Sequence, residues 1–186
     1  PPEFMEWNDR YRDAVRRFFL ADPEIAGDFQ ARIAGSADLL GDKTSINFLA
    51  AHDGFTLRDL LSYAEKHNEA NGEENRDGNS HNHSQNFGVE GATADFGIIQ
   101  ERRNTARAML GPLFFPRGIP MLQAGDECGR TQQGNNNAYC QDNEINYFDW
   151  THRDEELETF VREGIALRQT YRDCIQQGSY SWFAAT

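Results

Sequence analysis

The sequence predicts an α/β fold built on a parallel sheet, and three observations carry that prediction. Two short apolar runs, Ile46-Asn47-Phe48-Leu49-Ala50-Ala51 and Ile119-Pro120-Met121-Leu122-Gln123-Ala124, each end in a turn that holds glycine and acidic side chains. A helical pattern separates them and another follows the second. The remaining long stretches are polar and rich in Asn and Gly, as loops at a sheet rim are. Strands alternating with helices are what a parallel sheet requires.

Taken in order, the segment from Glu6 to Phe19 places Val15, Phe18 and Phe19 among Arg12, Arg16 and Arg17. It reads as a helix whose arginines form a solvated face with one or two ion pairs. The run Ile46 to Ala51 is too short for a core helix and lacks polar alternation, so it reads as a strand buried on both faces. Gly54 permits a sharp exit. Thr56, with Asp59 three residues on, caps a helix that sets Leu57, Leu60, Leu61 and Ala64 on one face. From about Ile98 a longer helix aligns Ala106, Met109, Leu110, Leu113 and Phe114, with Glu101, Arg102, Arg103 and Arg107 off that stripe. After the strand Ile119 to Ala124 comes a polar segment, then a closing helix from about Glu155 to Tyr171 that turns Leu157, Phe160, Val161, Ile165 and Leu167 toward a core.

Groups at the carboxyl ends of such strands line the sites of α/β enzymes, which makes His52 and Asp53 the first candidates for chemistry. The same spacing also suits a buried aspartate that caps the next helix, with His52 packed in the core. Asp126 and Glu127 resemble an acid/base pair, but adjacent residues at a strand end diverge and only one can face a cleft. Helix capping or hydrogen bonding to neighbouring loops fits them better. Between His67 and Asp95 the chain carries His67, His81 and His83 among carboxylates, yet without a zinc spacing, so a solvated polar loop is the alternative to a metal site. In the segment Gly129 to Glu144, amides predominate over charges. Asn135, Asn136 and Asn137 suit sugar hydroxyls, because an amide donates and accepts at once, and they suit turns equally well.

Composition removes several classes. Lys plus Arg number 18 against 30 for Asp plus Glu, a formal net charge of −12, so a nucleic-acid partner is not expected. The aromatic fraction of 12 % suits sugar recognition, although residues such as Phe18, Phe19, Phe114 and Phe115 read as core. Cys128, Cys140 and Cys174 form an odd set without paired spacing, which points to reduced thiols and a cytoplasmic location. No long uninterrupted apolar segment suggests a membrane span.

At His52-Asp53-Gly54-Phe55-Thr56-Leu57, at Glu65-Lys66-His67-Asn68-Glu69-Ala70-Asn71-Gly72-Glu73, at Ala124-Gly125-Asp126-Glu127 and along Gly129 to Glu144, the chain resembles the isoamylase and bacterial glycogen-debranching branch of the α-amylase superfamily. The match is ordered and starts at Glu6-Trp7-Asn8-Asp9-Arg10-Tyr11-Arg12-Asp13. The chain departs from the family pattern at Gln85, where Trp is usual, and at Phe87, where Cys is usual. The resemblance implies the C-terminal portion of a (β/α)8 TIM barrel, its last three βα units, incomplete as a barrel because a closed one needs about 250 residues. In that reading residues 1–178 belong to the barrel, with Glu6 to Phe19 following its fifth strand, and residues 179–186, with Ser179 to Ala184 as a strand, begin a C-terminal β-domain.

The resemblance also implies a retaining glycosidase acting on α-1,6 branch linkages of glycogen or limit dextrins, with a branched α-glucan as substrate and no cofactor or metal. Nucleophile and general acid would come from earlier strand ends, leaving Asp53 to stabilise the transition state and His52 to bind the sugar. Asn135, Asn136, Asn137, Tyr139 and Asp142 would sit on the loop beside the acceptor side of the cleft. A piece of a barrel would leave Ile46, Phe48, Met121 and Leu122 bare together with open sheet edges, so self-association or a companion fragment is expected. Two other readings are a non-catalytic glucan-binding or assembly module, and a metal-dependent hydrolase using His52, Asp53, His67, His81 or His83.

Overall fold

The computed structural model describes residues 4–182. Three short strands, β1 (Glu6–Asn8), β2 (Ser45–Phe48) and β3 (Ile119–Met121), form one parallel sheet in that order. Trp7 pairs with Ile46, and Ile46 with Ile119. Pro120 stands opposite Asn47, and its place in β3, an edge strand of this sheet, is where a residue without an N–H costs no ladder bond. Glu6–Asn8 is thus itself a strand, where the sequence reading had only a segment following one.

Helices connect the strands. The helix α1 (Asp9–Phe19) follows β1, and α2 (Ala26–Ile33) and α3 (Ala37–Leu40) lead to β2. Beyond β2 come α4 (Leu57–Leu60) and α5 (Phe96–Phe114), and beyond β3 come α6 (Glu155–Thr170) and α7 (Arg172–Gln177). Asn8, Asp95 and Asp154 each accept a backbone N–H with their side chains and so set where α1, α5 and α6 begin. The core is Tyr11 and Val15 of α1, Leu49 and Phe55 after β2, Met109, Leu110 and Leu113 of α5, and Leu157 and Val161 of α6. Phe87 and Leu122 pack on its margin.

Several expectations change, among them the core places read for Phe18, Phe115, Ile165 and Leu167, which are exposed. α4 is a single turn that stops before Ala64, and the side chain of Asp59 is drawn inward to the segment after β3. Arg16 is buried, not solvated; only Arg12 and Arg17 keep the surface pairs, with Asp13 and Asp22. Phe48 is 3 % exposed, covered by Trp7 with ring centroids 5.6 Å apart and by the Arg12 guanidinium at 5.7 Å, while Ile46, Met121 and Leu122 are half-buried. Trp7, at 53 %, takes the exposure instead, beside Phe4 and Met5. Residues 179–182 carry no regular structure, and the rest of the strand expected over Ser179 to Ala184 lies outside the described residues.

Candidate active-site rim

The backbone leaves β2 through Leu49-Ala50-Ala51, all buried, and turns at His52 and Asp53 into solvent before Thr56 caps α4. Among the described residues neither His52 nor Asp53 makes a side-chain hydrogen bond. His52 stands edge-on to Trp7, ring centroids 6.3 Å apart. Both polar groups are therefore offered outward at the carboxyl end of the central strand.

Beneath them lies Arg16. A strand's last carbonyls lose their ladder partners when the chain departs the sheet. Arg16 supplies the replacement, donating Nε and Nη2 to the Leu49 carbonyl at 2.9 and 2.6 Å, and Nη1 to the Asn82 carbonyl at 2.8 Å. Burial, reinforced by Arg12, lowers its pKa to about 10, while Asp13, Asp126 and Asp53 hold it up. It stays charged at neutral pH and places a positive field under the exposed Asp53.

The acids of the second turn behave otherwise. Asp126 is 2 % exposed, and its Oδ1 accepts the Leu57 N–H at 2.8 Å. Burial raises its pKa to about 7 against that hydrogen bond. The carboxylate of Glu127 folds back onto the Gly125 N–H at 2.8 Å. Asp59 of α4 reaches the opposite way, accepting the Gln132 N–H at 2.7 Å and the Thr131 hydroxyl, and its pKa is raised by burial. Two buried carboxyl groups thus staple α4 to the turn after β3.

The asparagines of the two long loops find one another. Asn68 and Asn136 form a closed pair: Asn68 Nδ2 donates to Asn136 Oδ1 at 2.9 Å, and Asn136 N donates to Asn68 Oδ1 at 3.0 Å. Asn136 Nδ2 reaches the Asn79 carbonyl at 2.7 Å and Asn82 Oδ1 at 2.9 Å. Asn135 binds Asn71, and Asn137 binds Asp77, each at 2.9 Å. Asn135 and Asn136 are buried, so their amides serve the loop-to-loop contact rather than open space. Gly134, at φ +82° with the Tyr63 ring against its α-carbon, lets the chain enter this contact, and its carbonyl takes the His67 N–H at 2.7 Å. Tyr139 and Asp142 stay outside: the Tyr139 hydroxyl donates to Glu73 at 2.8 Å, and Asp142 accepts the Tyr147 hydroxyl at 2.9 Å.

His67 is committed to Glu90, Nε2 to Oε1 at 3.0 Å, while His81 and His83 are exposed apart from it. Burial would raise the Glu90 carboxyl, but bonds from Ala64 N–H, Asn86, His67 and Glu65 N–H hold it at about 2. Among the described residues no three His, Cys, Asp or Glu side chains gather as a metal would need. No described helix is long and apolar enough to cross a membrane, and the three cysteines are unpaired.

His52 and Asp53 are joined to the 135–142 loop only indirectly, through Arg16, Asn82 and Asn136. The sequence reading gives Arg16 only a place on a solvated face and Asp59 only a place in the cap of α4, and it does not single out Asn68 or Asn82 by role. The usable signal was numerical, an asparagine-rich stretch 68–82 facing a second at 135–137.

No family model matches the chain. Among curated proteins it is 52 % identical over 174 residues to a glycogen debranching enzyme of Serratia proteamaculans, covering 91 % of this chain and 26 % of that protein. It is 50 % identical over 188 residues to one of Yersinia enterocolitica, covering 98 % and 28 %. The chain thus spans about a quarter of the length of these relatives, and its homologues are glycogen debranching enzymes. Among solved structures it is similar to a pullulanase from Bacillus acidopullulyticus (TM-score 0.64, 20 % identity, 93 % of this chain and 19 % of that one). It is also similar to a pullulanase from Anoxybacillus sp. LM18-11 complexed with maltotriose (TM-score 0.64, 25 % identity, 90 % and 22 %). The α/β fold with a small parallel sheet is shared with these enzymes.

Proposed function

We propose that this chain, a homologue of about a quarter of the glycogen debranching enzymes, works as the last three βα units of a (β/α)8 barrel that hydrolyses α-1,6 branch linkages with retention. The observation that carries the reading is the exposed His52-Asp53 turn at the end of the central strand, the one acidic rim turn whose carboxylate is not consumed by the fold. In a retaining mechanism a carboxylate nucleophile and a general acid flank the scissile bond and an oxocarbenium-like transition state forms between them. No residue here matches either. Asp53 instead accepts hydroxyl hydrogen bonds from the sugar being cleaved, bonds that strengthen as the ring flattens, and His52 adds a further polar contact.

In this reading residues 1–178 are barrel and 179–186 lead toward a β-domain. Tyr139 and Asp142 meet the acceptor chain on a loop whose shape Asn135, Asn136 and Asn137 fix. The parent works on a branched α-glucan in the cytoplasm. Alone, the segment associates through β1, whose flank exposes Phe4, Met5 and Trp7, with itself or with a fragment carrying further strands.

The test is a reducing-sugar assay on glycogen limit dextrin with the intact parent protein and with isolated 1–186. The parent should release linear chains while 1–186 stays at the buffer level. Hydrolysis by purified 1–186 that Asp53→Ala abolishes would sink the division of labour, and a parent inactive on α-1,6 linkages would sink the activity.

A further inference from the structure

A cavity of about 370 Å³ opens between α4, α5, the start of α6 and the turn after Gly129. Its lining includes Arg58, Arg102, Arg103, Arg107 and Arg153, a concentration of positive charge that runs against a chain of net charge −12. Three of them are answered by carboxylates. Arg103 meets Asp154 at 3.1 Å, Arg107 meets Glu156 at 3.0 Å, and Arg153 meets Glu155 and Glu158 at 3.1 and 3.3 Å.

The other two are not. Among the described residues Arg58 and Arg102 form no ion pair. Arg102 is anchored on the carbonyls of Gly91, Asn86 and Val89, which fix its place without neutralising it, and its buried Nε has no partner. Burial and the like charge of Arg58 lower its pKa, against the opposing influence of Tyr63 and Glu90. Arg58 donates only Nη1, to the Gly129 carbonyl at 3.1 Å, so the rest of its guanidinium has no protein acceptor there. Asp154 is the one acid in the lining, and it is spent on Arg103 and on capping α6. Below the arginines Leu57, Leu61 and Ala106 supply an apolar floor.

We propose that this cavity binds the phosphomonoester of a phosphorylated sugar, the phosphate on Arg58 in the field of Arg102 and the ring on the apolar floor. A phosphate dianion supplies the tetrahedral oxygens a guanidinium pairs with and the two negative charges the unanswered pair calls for. The volume lies within the about 300–1,000 Å³ of small-molecule sites, enough for a sugar ring beside the phosphate. The site is separate from the Asp53 turn, and the inference does not depend on the linkage that turn acts on.

Isothermal titration calorimetry of the intact parent protein decides it, with glucose 6-phosphate, inorganic phosphate, glucose and a phosphorylated maltooligosaccharide at matched ionic strength. Glucose 6-phosphate or the phosphorylated oligosaccharide should bind saturably, the one whose affinity Arg58→Gln lowers more identifying the source, phosphate more weakly, and glucose not at this site. Arg58→Gln should weaken binding about tenfold or more, Arg58→Lys less, and Arg10→Gln, outside the cavity, not at all. Because Arg58 is exposed, the variants should keep the parental melting profile. No saturable heat from either phosphorylated sugar up to about 10 mM, or an affinity that Arg58→Gln leaves unchanged, overturns the site. Inorganic phosphate binding as tightly as the sugar phosphates overturns the sugar half of the proposal.

Discussion

The two acidic rim turns of this molecule look alike in sequence and differ in fate. His52-Asp53-Gly54 follows β2 and Gly125-Asp126-Glu127 follows β3, each a glycine beside carboxylates at the end of a strand. Asp53 faces solvent, and among the described residues its side chain has no hydrogen-bond or ion-pair partner. Asp126 is buried on the Leu57 amide. What separates them is the neighbour: the β3 turn packs under α4, whose first N–H groups lack helical acceptors and take whatever carboxylate is in reach. A carboxylate at a strand end is thus available for chemistry when no helix start claims it.

The largest effect should come from removing the charge at Asp53 in the intact parent. Asp53→Asn keeps the shape and is expected to lower kcat about a thousandfold, about 4 kcal/mol, with little change in KM, because the contact is worth most in the transition state. Asp126→Asn in the same assay should keep kcat within about threefold, since Oδ1 still accepts the Leu57 N–H. Near-normal kcat with weakened binding in Asp53→Asn would make Asp53 an ordinary ground-state contact and remove the distinction between the turns.

Next in size is the asparagine lock between the two long loops. Asn136→Ala strips acceptors and donors from Asn68, Asn82 and the Asn79 carbonyl in a buried setting. Orphaned partners of this kind cost about 2–3 kcal/mol. Urea denaturation of the parent should show the loss, with Asn137→Ala, at a half-buried position, costing less. An Asn136→Ala midpoint equal to wild type would mean that the amides are replaceable by water.

β2, β3, α5 and α6 were legible because apolar runs and helical periodicity are local, and the candidate turn was legible because it ends such a run; β1, a Glu-Trp-Asn triplet, offers no such run. Arg16 was not. A helical wheel sets it next to Val15 at the edge of the buried face, and nothing local says that the Leu49 carbonyl, 33 positions away, will need a donor. The length of α4 was hidden for the same reason: its Leu57, Leu60 and Leu61 fit a long helix, and the partners that Asp59 finds, Thr131 and Gln132, lie 72 and 73 positions away. The dual reading of Asn135 to Asn137 resolves through partners such as Asn68, 68 positions away, which a single sequence does not couple.

The smallest effect sharpens the comparison from the buried side. Asp126 has a folded-state pKa of about 7, raised by burial, against about 4 in an unfolded chain. Between those values the native state holds a proton that the unfolded state has released, so stability from this group falls as pH rises from about 4 to about 7 and is level above. Arg16, whose charge favours the ionised form, is already part of that balance, and what is read at the staple is the protection of a single amide. Hydrogen exchange of the Leu57 amide in the parent protein reports it directly, because that N–H is the one Asp126 accepts. Protection, corrected for intrinsic exchange, should drop between pH 5.5 and pH 8 in wild type and stay flat in Asp126→Asn, which keeps the acceptor and cannot ionise. An equal drop in both proteins would assign the pH dependence to another group, and Asp126 would then be no more than a neutral cap.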